Sequence, residues 1–454
     1  MRGRRPPGSL GSPARRSRGE PRPKRRGLAA LILLLCLGAP PSTAASEASA
    51  HPQSLTRRQY EQDFDTLWGE VRDRYAYFEQ KATDWDRVKS IHRPRVRRVS
   101  NTGEFVAVLE GALEELYDFH AHLNTNTASS PRLVPSDADI WAQWSDEKAV
   151  ITEVRPNTSA EQPGLRAGMQ ITSINGVPVA DAVRARIGRS LRRPDRAARD
   201  WALLALLAGR RNEPRVLDVI DAGKRRQIAI NDQGSHAGVA RKTLLEHRRL
   251  ERNFGYIRIH NSLGDLVLIQ NFDAALEVLR NTRGLILDLR DTPSGGNTTV
   301  ARGILGRFTT QEVPYQKHTL PEEERHYGLK RGWIELVSPR GKVAYKAPVV
   351  VLVSHWTGSM GEGIAIGLDG MGRATVVGTE MARLLGATSG ITLPNTGVGV
   401  TFPTEKLFHV NGTPRENFVP TVRVDLSVAA SGSVDPILEA GLRVLRAKAG
   451  LKAK

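Results

Sequence analysis

Five consecutive apolar residues, Val349–Val353, constrain the fold more than any other stretch of this sequence. A run without polar alternation marks a strand buried on both faces, and such strands sit in parallel sheets covered by helices. Directly after it come Thr357-Gly358-Ser359-Met360-Gly361-Glu362-Gly363, then Ile364, Leu368 and Met371 at helical spacing. Upstream, Gly255–Ile259 and Gly284–Leu289 read as further strands, separated by a helix through Phe272, Leu276 and Leu279. This alternation predicts an α/β domain over residues 240–450, a mainly parallel sheet with crossover helices. Asp435 and Pro436 cap and open a last helix through Leu438, Leu442 and Leu445.

Two units precede that domain. Tyr60, Phe64, Leu67, Trp68, Val71 and Tyr75 recur at helical spacing, as do Phe105, Val108, Leu109, Ala112, Leu113 and Leu116, giving a helical domain over 50–136. Its second helix runs straight into Asp118-Phe119-His120-Ala121-His122. The next unit, 137–235, holds a strand at Ala149–Val154, a short helix and turn within Ser159–Gly168, and a hairpin at Ile171–Val177 turning on Asn-Gly. This string resembles a PDZ domain of the bacterial protease type. The resemblance implies capture of an extended chain, often by its C-terminus, at a sheet edge. The helical stretch Trp201–Leu207 interrupts the pattern, which leaves a peptide groove and a mere orienting spacer as alternatives.

With 66 Lys and Arg against 48 Asp and Glu, the 454-residue chain carries a formal charge of +18. Half of that charge lies before Ala45, where nine Arg and one Lys face a single Glu and an apolar run, Leu28 to Leu37, follows. A basic, then apolar, then small-residue segment is the pattern of a secretory signal peptide, here 1–45. The apolar run is far shorter than the roughly twenty residues a membrane span needs. The expectation is an exported protein, periplasmic or secreted, with no stable membrane span after signal cleavage. The remaining charge bears on solubility, and without aromatic-plus-basic loops no nucleic-acid partner is expected. The single cysteine, Cys36, lies in the leader, which excludes a disulfide scaffold and a cysteine-based zinc site. Neither His-Glu-x-x-His nor a phosphate-binding glycine loop occurs, and no cofactor or metal is expected.

Two loops at strand ends carry the chemistry. In Asp288-Leu289-Arg290-Asp291-Thr292-Pro293-Ser294-Gly295-Gly296-Asn297, adjacent glycines let backbone N–H groups approach a ligand. In the second loop Ser359 precedes a helix, where free N–H groups and the dipole favour developing negative charge. A serine there is a nucleophile or a helix cap, and the loop by itself does not decide. Glu362 in the first turn is stabilising for the helix in any case, and Asp288 and Arg290 are expected to fix their loop.

The order of PDZ string, Gly-Tyr-Ile-Arg-Ile, Leu-Asp-Leu-Arg with Gly295-Gly296, Ser359-x-x-Glu362 and Gly372-Arg373-Ala374-Thr375-Val376-Val377-Gly378 resembles the C-terminal processing peptidases and their tricorn-type relatives. That resemblance spans nearly all of the chain behind the leader. It implies a crotonase-like (ClpP/crotonase) catalytic core behind the helical and PDZ-like domains. It also implies a serine-type peptidase acting on protein or peptide substrates, with Ser359 as nucleophile. Relatives with a Ser-Lys dyad place a Lys shortly after the Gly-Arg-Ala segment, but no Lys occurs here between Lys346 and Lys406. Arg383 cannot replace it, since a guanidinium keeps its proton near neutrality. The tricorn-type branch uses a His ahead of the PDZ domain, which carries over to His120, with His122, His355 and His409 as alternatives. Its late glutamate carries over to Glu416 as orienter of the base. A serine just ahead of that His is replaced by Phe119. The expected oxyanion donors are the amides of Met360 and of Gly295 or Gly296. A non-catalytic ligand- or peptide-binding protein on the same scaffold is the alternative.

Overall fold

The computed structural model describes residues 55–231, 243–341, 343–427 and 435–451; the expected leader, 1–45, lies outside them. Helices α1 (Arg57–Arg74), α2 (Trp85–Val96) and α3 (Thr102–Glu114) form the first part. A reciprocal capping box opens α1, with Gln59 Oε1 accepting from the Thr56 amide at 2.8 Å. The apolar stripes bury as their spacing predicts, Phe64, Leu67, Val71, Phe105, Leu109 and Ala112 being fully enclosed. The sequence reading missed α2, because Arg87, Lys89, Arg93, Arg95 and an internal Pro94 dilute the stripe of Trp85, Val88 and Val96. After α3 the chain reverses at Tyr117, whose φ is +38°, and enters the short strand β1 (His122–Leu123).

The second part is an antiparallel sheet of β2 (Ile140–Ser145), β3 (Lys148–Val154), β4 (Gln170–Ile174), β5 (Val177–Pro178), β6 (Arg215–Asp221) and β7 (Lys224–Ile230). Its order is β2-β3-β4-β6-β7, with β5 on β4, so β2 is an edge strand. Asn175 and Gly176, at φ +51° and +77°, turn the β4–β5 hairpin as the Asn-Gly pair predicts. The short helix expected within 159–168 is absent, and the segment is a string of turns. Gly164 and Gly168, at φ +83° and +88°, lie in the left-handed region that a right-handed helix excludes. Helices α4 (Val179–Arg186) and α5 (Arg196–Ala208) complete the unit, and α5 packs on β2.

The third part has at its centre the predicted parallel strands β9 (Phe254–Ile259), β10 (Leu285–Asp288) and β13 (Val349–Val353), joined by two parallel strands the sequence reading did not name, β14 (Ala374–Gly378) and β17 (Val422–Arg423), with β8 (Leu245–Leu250) antiparallel at one edge. Val349, Val351 and Val353 pack with helices α6 (Val267–Leu279), α7 (Thr298–Leu305) and α9 (Met360–Gly370). Val350 and Leu352 face the opposite way, toward α10 (Pro436–Lys448). Both faces are therefore covered, which is why the run needs no polar alternation. A second sheet, β11 (Val313–Thr319), β12 (Gly332–Val337), β15 (Ala387–Thr392) and β16 (Gly399–Phe408), was not legible in the sequence; α8 (Pro321–Tyr327) lies between β11 and β12. β1 pairs with β16, and Val400 and Phe402 share a core with α1 and α3. This pairing brings the turn after α3, and His120 on it, to the third part.

Candidate active site

The two glycine-bearing loops emerge side by side from β10 and β13. The hydroxyls of Thr292 and Thr357 both donate to the carbonyl of Leu289, at 2.8 and 3.0 Å, and the Gly358 amide donates to the Thr292 carbonyl. Ser359 sits where β13 turns into α9, at φ +50° and ψ −109°, a strained conformation for a residue with a side chain. No Gly stands two residues before it, yet the backbone makes the sharp strand-to-helix turn that such a Gly serves in lipases. Gly358 supplies the room instead, since a Cβ there would run into the Pro293 carbonyl.

Gly295, at φ +66°, lies against the serine: a Cβ at this position would collide with Ser359 Cβ and stand 2.9 Å from Ser359 Oγ and from the Met360 amide nitrogen. Its own amide donates to the Thr292 carbonyl at 3.2 Å. Among the described residues the amides of Gly296 and Met360 donate to no protein acceptor. Of the two glycines expected to hold an oxyanion, Gly296 thus has the free donor and Gly295 the close approach.

Glu362 does more than begin a helix. Fully buried, its carboxylate accepts from the amides of Ser359 (2.8 Å), Arg383 (2.9 Å) and Leu384 (3.3 Å), and Arg415 lies 3.9 Å away. Burial pushes its pKa up to about 7, against the opposing pull of Arg415 and the three N–H donors. The Ser-x-x-Glu spacing was the signal for this role, and it also fits an ordinary capping box.

His120 is buried and held on two sides. Its amide donates to Asp118 Oδ1 at 2.9 Å, and Asp118 Oδ2 accepts from the Tyr75 hydroxyl at 2.7 Å. Its Nδ1 lies 2.6 Å from the Leu385 carbonyl oxygen. A carbonyl can only accept, so Nδ1 carries the proton and Nε2 the lone pair. Burial, reinforced by the Arg415 charge, pushes its pKa down to about 3, leaving the ring neutral at ordinary pH.

Among the described residues no hydrogen bond joins His120 to Ser359 or to Glu416. Glu416, on the 3-10 turn Arg415–Asn417, is buried beside Gln80 and Asp118, with Oε2 unpartnered. The orienting partner of His120 in this structure is therefore a main-chain carbonyl, not the carboxylate expected from the sequence.

The alternative histidines are engaged elsewhere. His122 Nδ1 is 3.2 Å from the Leu123 carbonyl, and His409 accepts from the Asn411 amide. His355 stacks on Trp141 and bonds Glu153 through Nδ1 at 2.6 Å, tying the PDZ part to the end of β13. Arg155 makes a second such link to Asp291, in the loop that leads to Gly295. Asp288 and Arg290, expected to fix their loop, pair with each other, and Arg290 reaches on to Asp435, the cap of α10. A cavity of about 450 Å³ lies between Lys81 and Phe119 near the end of the helical part, Trp141 and Trp144 of β2, Trp201 of α5, and the strip 380–385. Among the described residues no group of three or more His, Cys, Asp or Glu side chains is placed to hold a metal ion, and no helix is long and apolar enough to cross a membrane.

The sequence reading missed Arg415 altogether. Its guanidinium donates to the carbonyls of Ser359 (3.3 Å), Leu384 (2.8 Å) and Gly386 (2.8 Å), though nothing near it in sequence announces this.

Residues 253–424 match the family model for peptidase family S41, 56–113 that for the tricorn protease C1 domain, and 132–195 that for the PDZ domain. The chain is 24% identical over 331 residues to tricorn protease homolog 1 of Streptomyces coelicolor, covering 71% of this chain and 28% of that protein. It is 26% identical over 290 residues to the carboxy-terminal processing protease CtpB of Bacillus subtilis, covering 62% and 55%. The chain thus spans about a quarter of one of these relatives and about half of the other. The crystal structure of mature CPAF superposes with a TM-score of 0.57 at 17% identity, covering 87% of this chain and 97% of that one, which is a likeness of fold. Strained Ser359, the loop of Gly295 against it and the ordered series of C1, PDZ and S41 segments agree: the part of the chain that carries Ser359, residues 253–424, is similar to peptidase family S41.

Proposed function

We propose that the chain is a serine endopeptidase that hydrolyses protein or peptide substrates through an acyl-enzyme on Ser359. The observation that carries this reading is the strained Ser359 at the start of α9, with Gly295 packed on its side chain. Ser359 Oγ attacks the peptide carbonyl carbon as His120 Nε2 takes its proton, and the oxyanion lies on the amides of Met360 and Gly296. The tetrahedral adduct expels the amine, which takes the proton back from Nε2, and water then cleaves the ester by the same route. Closure around a substrate brings Nε2 to Oγ, since catalytic hydrogen bonds tighten in the complex. The Leu385 carbonyl orients the imidazole.

Under this reading the edge strand β2 takes up the substrate's chain end, and the neighbouring cavity leads it toward the strip 380–385. The basic and apolar leader supports export to the periplasm or medium. A binding protein without turnover is the second reading, favoured by the missing His120–Ser359 hydrogen bond. Labelling with a fluorophosphonate separates the two. The expected result is modification of Ser359 and loss of both labelling and peptide hydrolysis in Ser359→Ala; hydrolysis unchanged in that variant would refute the assignment.

A further inference from the structure

Arg415 is almost wholly buried, at 2% exposure, and its guanidinium bridges two segments far apart in sequence, the turn at Ser359 and the strip 384–386. One nitrogen, Nη1, donates to the carbonyl of the nucleophile itself, Ser359. The other, Nη2, donates to the carbonyls of Leu384 and Gly386, which flank the Leu385 carbonyl that accepts from His120. The same strip gives the Arg383 and Leu384 amides to Glu362, whose carboxylate also takes the Ser359 amide. One cation thus joins the nucleophile's turn to the backbone on which the base is docked. The arrangement is costly, because a buried guanidinium loses its hydration and Arg415 Nε has no partner.

We propose that Arg415 is a positioning residue of the reaction: it clamps the strip Leu384–Gly386 against the Ser359 turn, and through that strip fixes His120 by Nδ1, leaving Nε2 free to take the proton. The proposal rests on the assignment of Ser359 and His120 above. Arginine cannot serve as the base, so its effect passes through others. The charge also acts on its neighbours. His120 is faced by Arg415, His122 and the Asp118 carboxylate, and Glu362 by Arg415 and three amides. A nearby cation disfavours the imidazolium and favours the carboxylate, so removing it raises the pKa of both groups.

The test is Arg415→Ala in the full chain, with fluorophosphonate labelling of Ser359 and peptide hydrolysis as readouts. Expected is a fall in kcat of about 100-fold with KM little changed, the scale of a small misplacement of reacting groups. Guanidinium, added well below denaturing concentration, should restore part of the rate, and the acid limb of kcat/KM should move to higher pH. Arg415→Lys keeps the charge but not the fork, so it should keep the wild-type acid limb with an intermediate kcat; it also serves if the alanine variant does not fold. A folded variant with unchanged kcat and acid limb, or one that guanidinium does not restore, overturns the proposal. Failure of the wild-type protein to label at Ser359 would instead refute the underlying reading.

Discussion

His120 Nδ1 lies 2.6 Å from the carbonyl oxygen of Leu385, a residue 265 positions further along the chain. That contact decides which ring nitrogen is free to accept a proton, and it depends on a strip held by Glu362 and Arg415 rather than on any carboxylate beside the ring. The site is a set of backbone segments locked together, and its sensitivities follow from the locks.

Glu362 should titrate near neutrality. Its pKa in the folded chain is about 7, above the ordinary 4.5, so the unfolded chain gives up this proton first. The contribution of this group to stability is therefore highest at low pH, falls as pH rises from about 4.5 to 7, and is flat above. Infrared spectroscopy should find a protonated carboxyl band that fades with a midpoint near pH 7 and is absent in Glu362→Gln. A band that vanishes below pH 5 would contradict it.

Gly295→Ala should silence Ser359. The added methyl would collide with Ser359 Cβ and crowd Oγ, and φ +66° is strained for alanine. We expect a fold that melts a few degrees lower, from about 1–3 kcal/mol of overpacking, and phosphonate labelling lost. Labelling at the wild-type rate would show that the loop stands further from the serine than described.

Acid should loosen the joint between the helical and PDZ parts. Glu115 accepts from His92, the Ser190 amide and hydroxyl and the Arg189 amide, and its pKa falls to about 2 despite burial. A carboxylate depressed in the folded state stabilises fully above its unfolded value of about 4.5. That stability, about 3 kcal/mol, is lost as pH drops toward 2. Denaturant melts at pH 6 and pH 3 should show a smaller acid loss in Glu115→Gln than in the wild type, and an equal loss in both would rule the effect out.

The sequence by itself determined the parallel core, because five apolar residues in a row cannot be satisfied with one face in water, and Val349–Val353 is indeed covered on both faces. It determined the helical stripes, the Asn-Gly hairpin and the position of Ser359 at a strand-to-helix turn, since periodicity and turn chemistry are local properties. It marked His120 at the end of a helix, through the family resemblance, and the fold sets that residue on a turn carried to the third part by the β1–β16 pairing. Only the tertiary structure decided the rest. The second sheet escaped notice because β15 and β16 alternate weakly and draw their core partners from α1 and α3, far off in sequence. The partner of His120 is a carbonyl, which every residue possesses, so no residue type marks Leu385. Arg415 was invisible for the same reason: its three acceptors are all main-chain oxygens, and only folding brings them to one guanidinium.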